Sequence, residues 1–301
     1  MSKAVLLTAY GTPKSLEYVE QYYTHIRHGR KPSPEELRDL IERYKSIGGT
    51  SPLIQITERQ RDKLQEKLLA NGSKTKVYSA MKHSDPFIED VIKLIVHNDI
   101  RELLCIALAP HYSKISIGSY IQIVDDTIKK LRSDLEVRWV RSWHNNPLLI
   151  AAWSQRIDEA RAKIGGDCYV IFSAHSLPEK ILSEGDPYKD QLLETASLIA
   201  QQSRINKWTF AFQSASKTGE PWLGPDIIDV LSRKREEGYS SFVVAPIGFV
   251  SDHLEILYDI DIECKDWAAK NGVRLIRARS LNDSEEFSEC LYSILKEQGF
   301  V

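Results

Sequence analysis

The sequence is poor in the features that announce many protein classes. It has four cysteines in 301 residues, Cys105, Cys168, Cys264 and Cys290, with no Cys-x-x-Cys pair. So wide a scatter suits reduced thiols rather than a disulfide frame, a zinc site or an iron–sulfur ligand set. An excess of one charge is also missing: the formal net charge is −2, so neither nucleic acid nor an anionic membrane is expected as the main partner. No apolar run is long enough for a membrane span, and residues 1–3 lead straight into a short strand-like segment instead of a secretory leader. A cytoplasmic protein is expected. Glycine-rich phosphate loops are absent, since no Gly-x-Gly-x-x-Gly follows a strand and no Walker lysine occurs. There is no Gly-x-Ser-x-Gly nucleophile elbow, and the adjacent His175 and Ser176 cannot form a triad because neighbours in a loop diverge.

What is present is a chain 42% hydrophobic and 27% charged, enough for a sizeable core in two halves. Short apolar runs alternate with helical spacing. Strands are predicted at Ala4–Ala9, Lys76–Met81, Glu102–Ala109 and Glu136–Trp143, then at Cys168–Ala174, Lys207–Gln213, Ser241–Ile247 and Val273–Ala278. Helices are predicted between them, among them one from Pro86, one near Gly118–Leu131, one near Pro147–Lys163, Tyr188–Gln202, Pro225–Arg235, Asp252–Lys270 and a last one from Ser284. Three helices precede the second strand, more than a crossover needs, and the excess points to function. Strand alternating with helix means parallel sheets with right-handed crossovers. The halves echo each other: Ile106–His111 resembles Val243–Ile247, and Tyr10-Gly-Thr-Pro falls where His175-Ser-Leu-Pro does. We read two duplicated Rossmann-like α/β domains, each a four-stranded parallel sheet flanked by helices, facing across a cleft lined by strand-end loops. The first comprises residues 1–145 with the C-terminal helix at about 283–301, and the second comprises 146–282.

Four features converge on that cleft. His175 follows the strand Tyr169–Phe172 and can exchange protons near neutrality. A glycine turn at Gly248 leads to a helix capped by Ser251 or Asp252, with His253 and Glu255 in its first turn. Glu255, Asp259 and Glu263, four residues apart, form a row of carboxylates on one helix face. Such a row repels itself unless a cation lies near, and its oxygens suit a hydrated divalent ion that is handed on; the alternative is a solvated acidic face. Tyr10 is a phenol for stacking on a flat ligand or for binding a metal, or else a packed tyrosine. Arg27, Arg30, Lys31, Lys45 and Lys82, with Ser51, make a basic rim suited to an acidic small molecule, or a scatter of surface cations. Ser113, Ser116, Ser119 and Tyr120 add hydroxyls at the same level, and Trp222 is either a lip of the cleft or loop packing. Together these suggest removing protons from a planar acidic ligand and putting a metal in.

At Ser173-Ala-His-Ser-Leu-Pro178, Pro221-Trp-Leu-Gly-Pro225, Gly248-Phe-Val-Ser-Asp-His-Leu-Glu255 and Ile47-Gly-Gly-Thr-Ser-Pro-Leu53 the chain resembles the ferrochelatase family, nearly end to end. Ala9–Pro13 and Tyr22–Arg27 resemble in particular its coproporphyrin III enzymes of monoderm bacteria. The resemblance implies a chelatase-like fold and insertion of ferrous iron into coproporphyrin III in haem biosynthesis. It implies His175 and Glu255 as the essential pair, Tyr10 as an iron ligand, Asp259 and Glu263 as an acidic ladder open to a divalent ion such as Mg2+, and Arg27, Ser51, Lys82 and Tyr120 as contacts to the propionates. No tightly bound cofactor is implied. Two departures stand out: His28 replaces a frequent second arginine, and the chain ends at Val301 without a cysteine-bearing extension, so no iron–sulfur cluster is expected. A monomer is expected, in transient contact with neighbouring haem-pathway enzymes. The rival readings are a protoporphyrin IX ferrochelatase, a cobalt or nickel chelatase, for which His83 and His253 would be the added ligands, and a non-catalytic tetrapyrrole carrier.

Overall fold

The computed structural model describes residues 2–216 and 219–301. Among the described residues, eight strands form two separate four-stranded parallel sheets. The first contains β1 (Lys3–Ala9), β2 (Lys76–Met81), β3 (Glu102–Ala107) and β4 (Glu136–Val140); the second contains β5 (Tyr169–His175), β6 (Trp208–Gln213), β7 (Ser241–Ala245) and β8 (Arg274–Arg277). Spatial order is β2-β1-β3-β4 in one and β6-β5-β7-β8 in the other, the same order twice. Each central strand is buried along nearly its whole length because helices cover both faces of its sheet, which is why Ala4–Ala9 and Tyr169–Ala174 read as continuous apolar runs.

The helices are α1 (Val19–Ile26), α2 (Pro34–Ser46), α3 (Leu53–Ala70), α4 (Ile88–His97), α5 (Ile117–Leu131), α6 (Pro147–Ile164), α7 (Tyr188–Gln202), α8 (Ile227–Glu236), α9 (Lys265–Lys270) and α10 (Glu285–Glu297). Ser33 starts α2 through a reciprocal capping box with Glu36, and Pro34 takes the first helical position. Asn146 caps α6, accepting from Leu148 and Leu149.

Several boundaries differ from the sequence reading. The strands anticipated to Ala109, Trp143 and Ile247 end at Ala107, Val140 and Ala245; the last stops because Pro246 has no N–H for the ladder. β5 instead runs one residue further, so His175 is itself its terminal strand residue, in register with Gln213. Helices anticipated from Pro86 and Pro225 start at Ile88 and Ile227, because the Pro86 and Pro225 carbonyls accept from the Met81 and Phe212 amides, each at 2.8 Å. The largest departure is the helix anticipated over Asp252–Lys270: from Ile256 to Cys264 it is a π-helix, which passes into α9.

The C-terminal α10 packs on α3 and α6. One apolar core runs through both halves, from Val5, Leu7 and Leu64 past Trp153 and Phe287 to Val170, Phe172 and Ala245. Smaller clusters cover the outer faces, one around Ile92, Leu103 and Val124, the other around Ile171, Phe242 and Ile260. Among the described residues no helix is long and apolar enough to cross a membrane.

Candidate active site

The carboxyl ends of both central strands deliver the chemistry-bearing side chains to the cleft. His175 closes β5, and its Nδ1 lies 3.1 Å from Oε2 of Glu255. Some 80 residues apart in sequence, the two meet because the loop after β7 folds back over the end of β5. Gly248 makes this possible: a Cβ there would stand 2.4 Å from the Ala174 Cβ and 2.8 Å from its Cα, and the Gly248 amide donates to the Ser173 carbonyl. His175 Nδ1 is enclosed and, despite the short distance, not aligned with Glu255 as a hydrogen bond. Both side chains stay partly open, 29% and 35% exposed.

Burial by itself would depress the His175 imidazole, but the charge and contact of Glu255, with Asp259 behind, outweigh it and raise its pKa. Burial likewise pushes the Glu255 carboxyl up, and the His175 charge and contact with help from His253 pull it far below the usual carboxylate range. The pair therefore favours holding a proton on the imidazole beside an ionised carboxylate. His253 directs Nδ1 at the Ser251 carbonyl, 2.9 Å away, and Nε2 at Glu255 Oε2, 3.6 Å away.

The three carboxylates of the row have different surroundings. Asp259 is buried, Glu263 is exposed, and Glu255 is intermediate. Asp259 is hydrogen-bonded by the Ser214 hydroxyl and faces Arg43 of α2 at 3.6 Å, and its Oδ1 has no hydrogen-bond partner. Burial, then the charge of Glu255, lift its pKa to about 6 against the pull of Ser214 and Arg43. Among the described residues no group of three His, Cys, Asp or Glu side chains is gathered as a metal cage. Their spacing of four residues keeps the row on one side of the π-helix, where a turn takes somewhat more than four residues.

Tyr10 follows β1 and is 44% exposed. Its ring lies on His83, with centroids 4.6 Å apart, and Lys82 Nζ is 6.0 Å from its centroid. Burial and the charge of Glu255 raise its pKa, so the phenol senses the carboxylate of the other half. The turn below it is braced: Tyr22 donates to the Gly11 carbonyl at 3.0 Å, and Gly11 has φ +98°, with Ser84 Oγ 2.6 Å from any added Cβ.

The remaining candidates have partners of their own. Arg27 pairs with Glu36 at 2.6 Å and lies over the Tyr23 ring. Ser51 is buried at the start of α3, its hydroxyl accepting from Leu53 N. Lys82 donates to Ser119 Oγ at 2.7 Å, and burial lowers its pKa. Tyr120 is buried under Lys82 in the core of the first half. Ser113 donates to Asp186 at 2.9 Å, so it ties the halves together. Lys31 pairs with Glu20 and Lys45 with Glu42. The edge of Trp222 approaches the His175 ring, with centroids 6.4 Å apart.

Some contributors had no sequence signal. Arg43, Ser214 and Tyr44, whose hydroxyl meets Thr12 at 3.0 Å, look like ordinary helix or loop residues until tertiary packing brings them to the cleft. Gln213, in register with His175, could have been suspected as a polar residue ending an apolar strand.

Comparison with known proteins identifies the family and the fold. A family model described as ferrochelatase matches residues 2–299. The coproporphyrin III ferrochelatase of Halalkalibacterium halodurans is 45% identical over 299 residues, spanning 98% of this chain and 96% of its own length. The protein named ferrochelatase from Herpetosiphon aurantiacus is 44% identical over 300 residues, 98% of each chain. Among solved structures, the sirohydrochlorin chelatase SirB of Bacillus subtilis subspecies spizizenii, in complex with cobalt, aligns with a TM-score of 0.62 at 11% identity, over 99% of this chain and 95% of that one. CbiX, the terminal enzyme of sirohaem biosynthesis in denitrifying bacteria, aligns with a TM-score of 0.55 at 12% identity, over 98% and 99%. At such identities these two share the fold. The match across nearly the whole chain places this chain in the ferrochelatase family.

Proposed function

We propose that this enzyme inserts ferrous iron into coproporphyrin III, giving the iron porphyrin of a haem-synthesis route. The contact between His175 and Glu255 at the sheet edge, facing Tyr10 of the other half, carries this reading.

A porphyrin must lose two pyrrole protons as the metal enters, and its nitrogens are poor ligands while the ring is flat and protonated. The two halves hold the ring between their strand ends, so that metal, base and ring meet in a fixed orientation. His175 in its neutral form accepts the two pyrrole protons in turn, passing the first on before it takes the second. Glu255 orients the imidazole, stabilises the imidazolium that forms, and with Asp259 offers the proton a route along the carboxylate row. Tyr10, in the other half, would offer a phenol oxygen to the iron. Lys82, Arg27, Ser51 and Tyr120 serve the propionate end, with Ser113 behind them joining the halves and Trp222 packing beside the imidazole.

The carboxylate row fits a loosely held, hydrated divalent ion: Asp259 Oδ1 is buried without a hydrogen-bond partner, and Glu263 is open to water. Mg2+ would be held there by Asp259 and Glu263, offsetting the repulsion between carboxylates. The protein acts as a cytoplasmic monomer that meets neighbouring haem-pathway enzymes transiently.

The direct experiment offers coproporphyrin III and protoporphyrin IX side by side, with ferrous iron, under anaerobic conditions. Preferred turnover of coproporphyrin III supports the assignment. Preference for protoporphyrin IX would move the enzyme to the other branch of its family.

A further inference from the structure

We infer that Gln213 is a positioning residue that sets the distance between His175 and Glu255; the inference rests on the proposed roles of that pair. Gln213 ends β6 directly opposite His175 in the strand register and is buried at 1% exposure. Its backbone carbonyl accepts from the Ser176 amide at 2.8 Å, fixing the residue after the histidine. Its side chain reaches both catalytic segments: Oε1 accepts from Ser173 Oγ at 3.0 Å, and Nε2 donates to the Glu255 carbonyl at 3.4 Å.

The orientation of that amide is forced. The Glu255 carbonyl can only accept, so it must face the NH2 end, and the oxygen is then left for the Ser173 hydroxyl to donate to. The same Ser173 accepts the Gly248 amide at its carbonyl, so the chain leading to Glu255 is tied to β5 from two directions. These bonds run to the backbone of Glu255 and to the flanks of His175, not to the imidazole or the carboxylate. That division suits the poorly aligned contact between the two side chains at 3.1 Å, whose direction the bonds beneath help to fix. Asn is too short to span Ser173 and Glu255, and Glu keeps the acceptor while losing the donor.

The test uses the full-length enzyme in an anaerobic ferrous-insertion assay with coproporphyrin III. Gln213→Met keeps the length and removes both bonds. It should lower kcat roughly 10- to 100-fold, as small misplacements of reacting groups do, with the KM for porphyrin within about twofold of wild type. In a Glu255→Gln background the same change should cost less than about twofold, because the spacing no longer serves a carboxylate. Ser173→Ala, which frees one end of the amide and leaves β6 untouched, should show a weaker loss of the same kind and covers the case in which Gln213→Met fails to fold. Wild-type kcat in Gln213→Met, a porphyrin KM that rises in step with the loss, or full additivity with Glu255→Gln overturns the inference. Absence of turnover in the wild type would instead overturn the reading on which it rests.

Discussion

Tyr10 and His175 hold the same position in the two halves of the molecule. Each directly follows an alanine in strand register with the residue whose amide donates to a returning proline carbonyl: Ala9 pairs with Met81, which binds Pro86, and Ala174 pairs with Phe212, which binds Pro225. The repeated architecture thus presents two different side chains from equivalent points, a phenol from one half and an imidazole from the other. This is the economy of a duplicated fold: the backbone geometry is built once and the chemistry differs only in the side chain at the strand end.

Gly248 is where the fold meets the site, because its missing side chain lets the Glu255 loop lie against β5. Gly248→Ala would push the loop off Ala174, an overpacking cost of about 1–3 kcal/mol. Chemical denaturation should show that loss, and the remaining folded enzyme should have a much reduced kcat. Unchanged stability and turnover would mean that the loop tolerates separation from β5.

Asp259 has a raised pKa, about 6, so its charged form is disfavoured in the folded protein. The sign is that of a buried acid: the penalty is absent well below the unfolded value of 3.8, grows above it and is complete above about 6. Asp259→Asn, measured in chelator, should therefore raise stability by about 2–3 kcal/mol at pH 8 and change it little near pH 4. Equal effects at both pH values would place the carboxyl in an ordinary environment.

If the acidic row feeds metal to the porphyrin, Asp259→Ala combined with Glu263→Ala should raise the apparent KM for ferrous iron several-fold more than the KM for porphyrin. Steady-state kinetics with each substrate varied in turn decides this. An unchanged metal KM reduces the row to a solvated and partly buried face.

The proposed role of His175 predicts an acid limb in the pH profile. Its pKa lies above the usual 6.5 because Glu255 and Asp259 favour the imidazolium over the opposing effect of burial. If the neutral imidazole is the proton acceptor, kcat/KM should fall as pH drops through a value above 6.5. In Glu255→Gln the main raising charge is gone, so whatever activity remains should have its limb at lower pH. A limb that stays in place would assign it to another group.

Much of the fold was legible in the chain. Apolar β-branched runs broken by Gly, Pro and capping residues marked eight strands and their crossovers, because buried parallel strands need continuous apolar sequence. Strand ends were overrun at Leu108, Arg141 and Pro246: apolar character or extended propensity continues past the point where a partner strand does. The π-helix was invisible, since residues four apart share a face in either helix type. His175, Glu255 and Tyr10 could be picked out as chemically capable residues at strand ends or helix starts. Their proximity, the engagement of Ser113 by Asp186 and of Arg27 by Glu36, and the approach of Arg43 to Asp259 are set by tertiary packing, on which local sequence is silent.

The most direct test of the account is anaerobic ferrous insertion by His175→Ala and Glu255→Gln, each with its fold verified, at saturating coproporphyrin III. Loss of a positioned proton acceptor, or of the group that orients it, should lower kcat by roughly 100- to 10,000-fold in His175→Ala and substantially in Glu255→Gln. Turnover near the wild-type level in both variants would contradict it.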